Sequence, residues 1–196
     1  MARKPPLIEL VHPICKQQFS LIVRAVRKAG YGAAIQWSEN IRPPATARIF
    51  AGEAVYVICN SGLSNIVALG IFEKCMEELH AGRSCKTVFG HPGKSSAIDQ
   101  IWQNRVMLFR RYLKADDPIA FCDSLPWIGP ITKFHLAKNF GSNVAKPDVH
   151  MLRLAVLSST TAQALCERLS RETGYRAATI DLILWRACAD GIIHSR

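Results

Sequence analysis

The sequence predicts an all-α protein made of two helical subdomains that flank a cleft. Three observations predict it. Apolar residues recur at three- and four-residue spacing in successive segments, no segment keeps up strand-like alternation, and a cap or breaker bounds most of the periodic stretches. Phe19, Ile22, Val23 and Val26 mark a first helix that Gly30 is expected to stop. Residues 31–37 read equally as helix or strand. A second helix is expected over about 48–58, breaking at Asn60-Ser61-Gly62. Ser64 is placed to cap a third, with Ile66, Leu69, Phe72, Met76 and Leu79 as its inward stripe. After Gly90-His91-Pro92-Gly93, one long helix is expected to carry Ile98, Ile101, Trp102, Phe109 and Tyr112 to about residue 113. Asp117-Pro118 gives a cap followed by proline at the first helical position. The last two helices fall near 161–172 and 176–189. Residues 48–113 are expected to form the central half. Residues 1–47 are expected to return and pack with 114–196, forming a terminal half that includes a helical hairpin at 118–140.

Composition narrows the class. Of 196 residues, 49% are hydrophobic and 20% are charged, which describes a packed protein rather than a disordered tail. Lysine and arginine number 25 against 15 acidic residues, a formal charge of +10, and this favours a polyanionic partner, nucleic acid or an acidic membrane surface. No apolar run reaches the roughly eighteen residues of a membrane span. Met1-Ala2-Arg3-Lys4-Pro5-Pro6 lacks the apolar core of a signal peptide, so a soluble intracellular protein is expected, cytoplasmic and nucleoid-associated. The seven cysteines, Cys15, Cys59, Cys75, Cys85, Cys122, Cys166 and Cys188, include no C-x-x-C pair. They read as reduced, buried packing residues rather than as a disulfide framework or a metal site.

The run Leu125-Pro126-Trp127-Ile128-Gly129-Pro130-Ile131-Thr132-Lys133 carries the most chemistry. Gly129 permits a tight turn, and Pro130 opens a helix whose first amides have no internal partner. Those amides and the helix dipole suit a phosphate. Lys133 and Lys138 can add charge near a nucleic-acid backbone, in contacts that hold a duplex without reading its sequence. The plain alternative is an ordinary corner between packed helices. Further on, Lys146-Pro147-Asp148-Val149-His150 puts an aspartate at a helix start. Asp148 is a good N-cap, and the same carboxylate can face a site. Beside a sugar losing its base, it can stabilise positive charge and activate a water.

The order of this hairpin, Phe140-Gly141, and Asp148-Val149-His150-Met151-Leu152-Arg153 resembles the helix-hairpin-helix base-excision DNA glycosylases. The run Val57-Ile58-Cys59-Asn60-Ser61-Gly62-Leu63-Ser64-Asn65-Ile66 is similar to the loop from which those enzymes drive a wedge into the duplex. Gly90-His91-Pro92-Gly93-Lys94 stands where the family keeps a second probing loop. The resemblance spans about residues 48–154. It implies a DNA-binding helix-hairpin-helix, a monomer acting without cofactor or metal on double-stranded DNA containing a lesion, base flipping, and Asp148 as the catalytic residue. Trp127, Gly129, Ile131, Thr132, Lys133, Lys146 and Lys94 then become expected DNA contacts. Leu63 and His91 are the wedge candidates, and Asn60, Ser61, Asn65 and His150 are base-pocket or supporting residues.

Three departures qualify what the resemblance implies. Members that also nick the backbone carry a lysine where this chain has Ile131, and isoleucine forms no Schiff base. A monofunctional enzyme is therefore expected. Lys133, about 200° further round an ideal helix, is the substitute in an alternative glycosylase/lyase reading. Trp127 stands where the first hairpin glycine is expected, and its ring can pack on a neighbouring helix or approach DNA. The four-cysteine cluster of one branch is absent. Trp37, Trp102, Phe134 and Trp185 are each open to a role in base stacking or in core packing. A DNA-binding, damage-sensing module without catalysis is the alternative from another class.

Overall fold

Caps and glycines set the ends of these helices as much as apolar periodicity does. The computed structural model describes residues 7–195, so the reading of the first six lies outside the described residues. Among the described residues all regular structure is helical. In chain order the helices are α1 (Lys16–Val26), α2 (Gly32–Asn40), α3 (Ala47–Asn60), α4 (Asn65–His80), α5 (Pro92–Gln103), α6 (Arg105–Tyr112), α7 (Pro118–Asp123), α8 (Thr132–Asn139), α9 (Val149–Leu157), α10 (Ala162–Thr173) and α11 (Ala177–Ala189). Thr46, Asp117, Asp148 and Thr161 cap α3, α7, α9 and α10 through their side chains. Gly174, at φ 81°, ends α10 in the left-handed conformation that glycine adopts freely. No helix of the described residues is long and apolar enough to cross a membrane.

Gly30, at φ 100°, leaves helical angles and breaks the first helical run as expected; α2 then starts at Gly32, so the ambiguous stretch 31–37 lies almost wholly in a helix. Other expectations are corrected. The long helix after residue 92 is two helices, broken at Asn104. There the backbone leaves helical angles (φ −94°, ψ 10°) and the side-chain amide bonds the Gln100 carbonyl at 2.9 Å. The expected inward stripe of α4 holds at Leu79, and in part at the half-buried Phe72 and Met76, but fails at its first two residues. Ile66 is 86% exposed and Leu69 is exposed, while Ala68, Cys75 and Leu79 are buried. Small residues line this face of α4, and the Cys75 carbonyl there accepts from the Cys85 thiol at 3.6 Å. Ser64 precedes α4 but makes no capping hydrogen bond.

The chain divides into two compact units, one of residues up to Ile41 with those from Asn143 onward, the other of Arg42–Ser142. In the first, α1, α2, α9, α10 and α11 share a core containing Phe19, Ile22, Met151, Leu165, Ile180 and Leu184. The Ile8 amide donates to the Ile192 carbonyl at 2.8 Å, so the N-terminal segment does return to the C-terminal helices.

The second unit also holds the 118–140 hairpin, which was expected in the terminal half. Phe50 of α3 explains this. It is fully buried, and its ring stands 5.6 Å from Tyr112, 6.0 Å from Phe121 and 5.0 Å from Phe140, fastening α6, α7 and the end of α8 to α3. Five cysteines are buried and Cys188 is half-buried, while Cys15 is exposed. All seven are free thiols. Burial pushes the Cys122 thiol up to about 12, in keeping with packing rather than reactivity.

Glu53 of α3 accepts a 2.9 Å hydrogen bond from the Asn139 amide of α8. Burial raises its pKa above the ordinary 4.5, although the Asn139 bond opposes the rise. The folded state thus binds this proton more tightly than the unfolded chain. The stability so gained is whole below the unfolded value and is lost as pH rises through the folded one. Glu53→Gln keeps an acceptor for Asn139 and removes the charge. Its melting midpoint is expected to exceed wild type by roughly 2 °C or more near pH 8, and the gain should vanish where Glu53 is protonated in both states.

Candidate functional site

The hairpin turn is built from the residues between α7 and α8. Leu125 and Ile128 point inward, 3% and 6% exposed, and anchor it. The Ile128 amide donates to the Leu125 carbonyl at 3.2 Å, closing a turn with Pro126 and Trp127 at its centre. Proline followed by a residue of positive φ is the pattern of a type II turn, whose third position favours glycine. Trp127 occupies that position at φ 63°. The chain thus takes a glycine's conformation where the resemblance expected a glycine, at a cost of about 1–2 kcal/mol for a side chain.

Beyond the turn, the Gly129 amide donates to Thr132 Oγ1 at 2.8 Å and its carbonyl accepts from the Lys133 amide at 3.0 Å. Pro130 has no N–H, so Ile131 and Thr132 carry the remaining amides at the start of α8. Ile131 is exposed. The Lys133 ammonium pairs with Asp123 at 3.0 Å, an ion pair within the hairpin itself.

Trp127 links this turn to the Gly90–Lys94 loop. Its ring lies on Gly93 so closely that a Cβ there would collide with it. The His91 ring meets it edge-on, with centroids 5.0 Å apart. His91 also caps α5, its Nδ1 accepting from the Lys94 amide at 3.4 Å. Lys94 departs from its expected role as a phosphate contact. It is 7% exposed, and its ammonium donates to the Ser61 carbonyl. Burial lowers its pKa from the ordinary value. A lysine so placed tethers the α3–α4 loop instead of offering its charge at the surface.

In that loop, the Asn60 amide donates to Asn65 Oδ1 at 3.0 Å and to the Tyr56 hydroxyl at 3.2 Å. Tyr56 donates to Asn65 Oδ1 at 2.8 Å. Asn60 and Asn65 therefore brace the corner. Leu63 is exposed at its tip, beside the still more exposed Ile66. Three loops of the second unit are thus joined: the hairpin turn, the Gly90–Lys94 loop through Trp127, and the α3–α4 loop through Lys94.

Asp148 belongs to the first unit. The segment before it is fixed to α10 and α11. The Ala145 amide donates to Gln163 at 2.7 Å, the Lys146 amide to Asp181 at 3.1 Å, and Asn143 accepts from the Ala178 amide at 3.0 Å. Asp148 does cap α9, Oδ1 accepting from the amides of His150 at 3.1 Å and Met151 at 3.2 Å. Its Oδ2 stands 3.4 Å from the Lys146 ammonium, and the side chain is 13% exposed. Lys146, expected at a phosphate, turns instead to this carboxylate and to the Trp185 ring, 5.7 Å from its centroid. His150 Nδ1 lies 3.2 Å from Ser195 Oγ, a supporting contact. Cys188 lies nearby. Burial pushes its thiol up to about 11, the Asp148 charge adding to the rise against a Ser195 hydrogen bond.

The structure thus groups Asp148, Lys146 and His150 in one unit and the other expected site residues in the other. Among the aromatics weighed for stacking, Trp102 is buried with its Nε1 on the Leu79 carbonyl, and Trp37 is exposed. Trp185 is half-buried beside Lys146 and Arg186. Tyr56, Asp181 and Ser195 were not foreseen. Only Asp181 left a signal, as the one acidic residue in the apolar run Ile180–Trp185. Among the described residues no group of three or more His, Cys, Asp and Glu is placed to hold a metal ion. In comparison with known proteins, the chain matches no family model, no curated protein and no solved structure.

The Trp127–Gly93 contact gives a direct test. Gly93→Ala is expected to destabilise the protein by about 1–3 kcal/mol, because the new methyl meets the ring. Trp127→Gly in the same chain should recover most of that loss, giving a clear coupling energy in a double-mutant cycle by chemical denaturation.

Proposed function

We propose that this chain is a monofunctional DNA glycosylase of the helix-hairpin-helix kind, removing a damaged or modified base by hydrolysis of its N-glycosidic bond. The observation that carries the reading is the joining of three loops in one unit: the hairpin turn, the His91 loop and the Leu63 loop. A glycine-like turn leading into α8, with the Ile131 and Thr132 amides at its start, suits a phosphate. An exposed Leu63 on a braced loop suits a wedge that fills the gap left by a flipped nucleotide. The formal charge of +10 favours the polyanion.

For the chemistry, Asp148 is the catalytic residue of this reading. Its orientation is fixed by two amides and the Lys146 ammonium. As the bond from C1′ to the base breaks, the base departs with the bonding electrons and the sugar becomes cationic. The carboxylate opposes that charge and takes the proton of the water that attacks C1′. Ile131 offers no amine for a lyase step, and the Lys133 amine is paired with Asp123.

The test is base release from labelled duplexes bearing uracil, oxidised guanine, alkylated purines, hypoxanthine, mismatches and modified pyrimidines. At least one substrate should yield strand breaks only after hot alkali, with no borohydride-stable adduct. A lyase using Lys133 would break strands without alkali and form an adduct lost in Lys133→Ala. Salt-dependent binding with no release from any duplex would instead mark a DNA-binding, damage-sensing module.

A further inference from the structure

We propose that Trp127 and His91 form a stacking site for a nucleobase, a role that rests on the DNA reading above and adds a specific contact to it. The turn demands positive φ at position 127, where glycine would sit without strain, yet the chain carries tryptophan at φ 63°. Burial does not account for the choice, because Trp127 remains 47% exposed. The loop opposite is shaped to receive the ring. Gly93 has no side chain where a Cβ would collide with the indole, and His91 stands edge-on at 5.0 Å. His91 is held in turn by its cap on the Lys94 amide, and the Lys94 ammonium is held on Ser61. The indole is thus held from one side and open on another.

An oriented, half-exposed aromatic ring with an exposed imidazole at its edge suits a flat π-face. On a protein with 25 basic and 15 acidic residues, the ligand class that combines such a face with negative charge is a nucleic-acid strand. Stacking tolerates any base, so the site would add affinity without fixing sequence.

The experiment titrates wild type, Trp127→Gly and Trp127→Phe with a labelled duplex and with its single strand at several salt concentrations. Trp127→Gly is expected to fold, since glycine suits the turn, and to bind about tenfold or more weakly. The salt slope should be unchanged, because no phosphate contact is lost. Trp127→Phe should keep most of the affinity. The emission that wild type has and Trp127→Phe lacks should be quenched by saturating DNA, a readout that stands even if the glycine variant fails to fold.

Unchanged affinity in a folded Trp127→Gly, a loss carried by a shallower salt slope, or unquenched difference emission would each overturn the stacking site while leaving DNA binding intact. Wild type that binds neither DNA would overturn the DNA reading and this site with it.

Discussion

The Phe50 ring is the point on which the second unit depends. It sits fully buried on α3 and meets aromatic rings from α6, α7 and the residue closing α8. Truncating such a residue removes about 3–5 kcal/mol in comparable cores. Because α7 and α8 are both fastened to α3, the turn between them has little freedom. Leu125 and Ile128 point inward from that turn, and Trp127 is left to meet Gly93. Gly93 stands in the first turn of α5, from which Lys94 reaches back to Ser61. A single buried ring therefore sets the frame for three surface loops.

Much of the scaffold was legible because its signals are local. Asp117-Pro118, Thr161 and Asp148 cap helices through their own side chains, as oxygen-bearing residues before apolar periodicity should. The break at Asn104 was not legible, since neither proline nor glycine marks it. On α4, Leu79 was placed inward correctly, but Ile66 and Leu69 were wrongly placed there too, because Ala68 and Cys75 carry the packing and weigh little in any hydrophobic pattern. The hairpin went to the wrong unit for a different reason: its partner, Phe50, lies some seventy residues away in sequence.

The candidate site was legible in its residue types more than in their roles. The hairpin run and Asp148 stood out by motif, and the cap geometry of Asp148 followed from its position. Lys94 in the first turn of a helix reads as a surface charge, and nothing local reveals that its ammonium turns inward to a carbonyl. A tryptophan is also poor evidence for a left-handed backbone, so the glycine-like conformation of Trp127 emerged only with the turn's hydrogen bond. The bracing of Asn60 by Tyr56 and Asn65 depends on neighbours that carry no motif of their own.

The observed cap and the proposed catalytic role of Asp148 can be separated. One carboxylate oxygen caps α9, and the other faces Lys146. Asparagine caps a helix about as well as aspartate but brings no negative charge. The most direct measurement is single-turnover base release by wild type and Asp148→Asn on a duplex that wild type processes, with both proteins shown to melt alike. Asp148→Asn is expected still to bind the duplex but to release base at least about a hundredfold more slowly. Release at the wild-type rate would contradict the catalytic role.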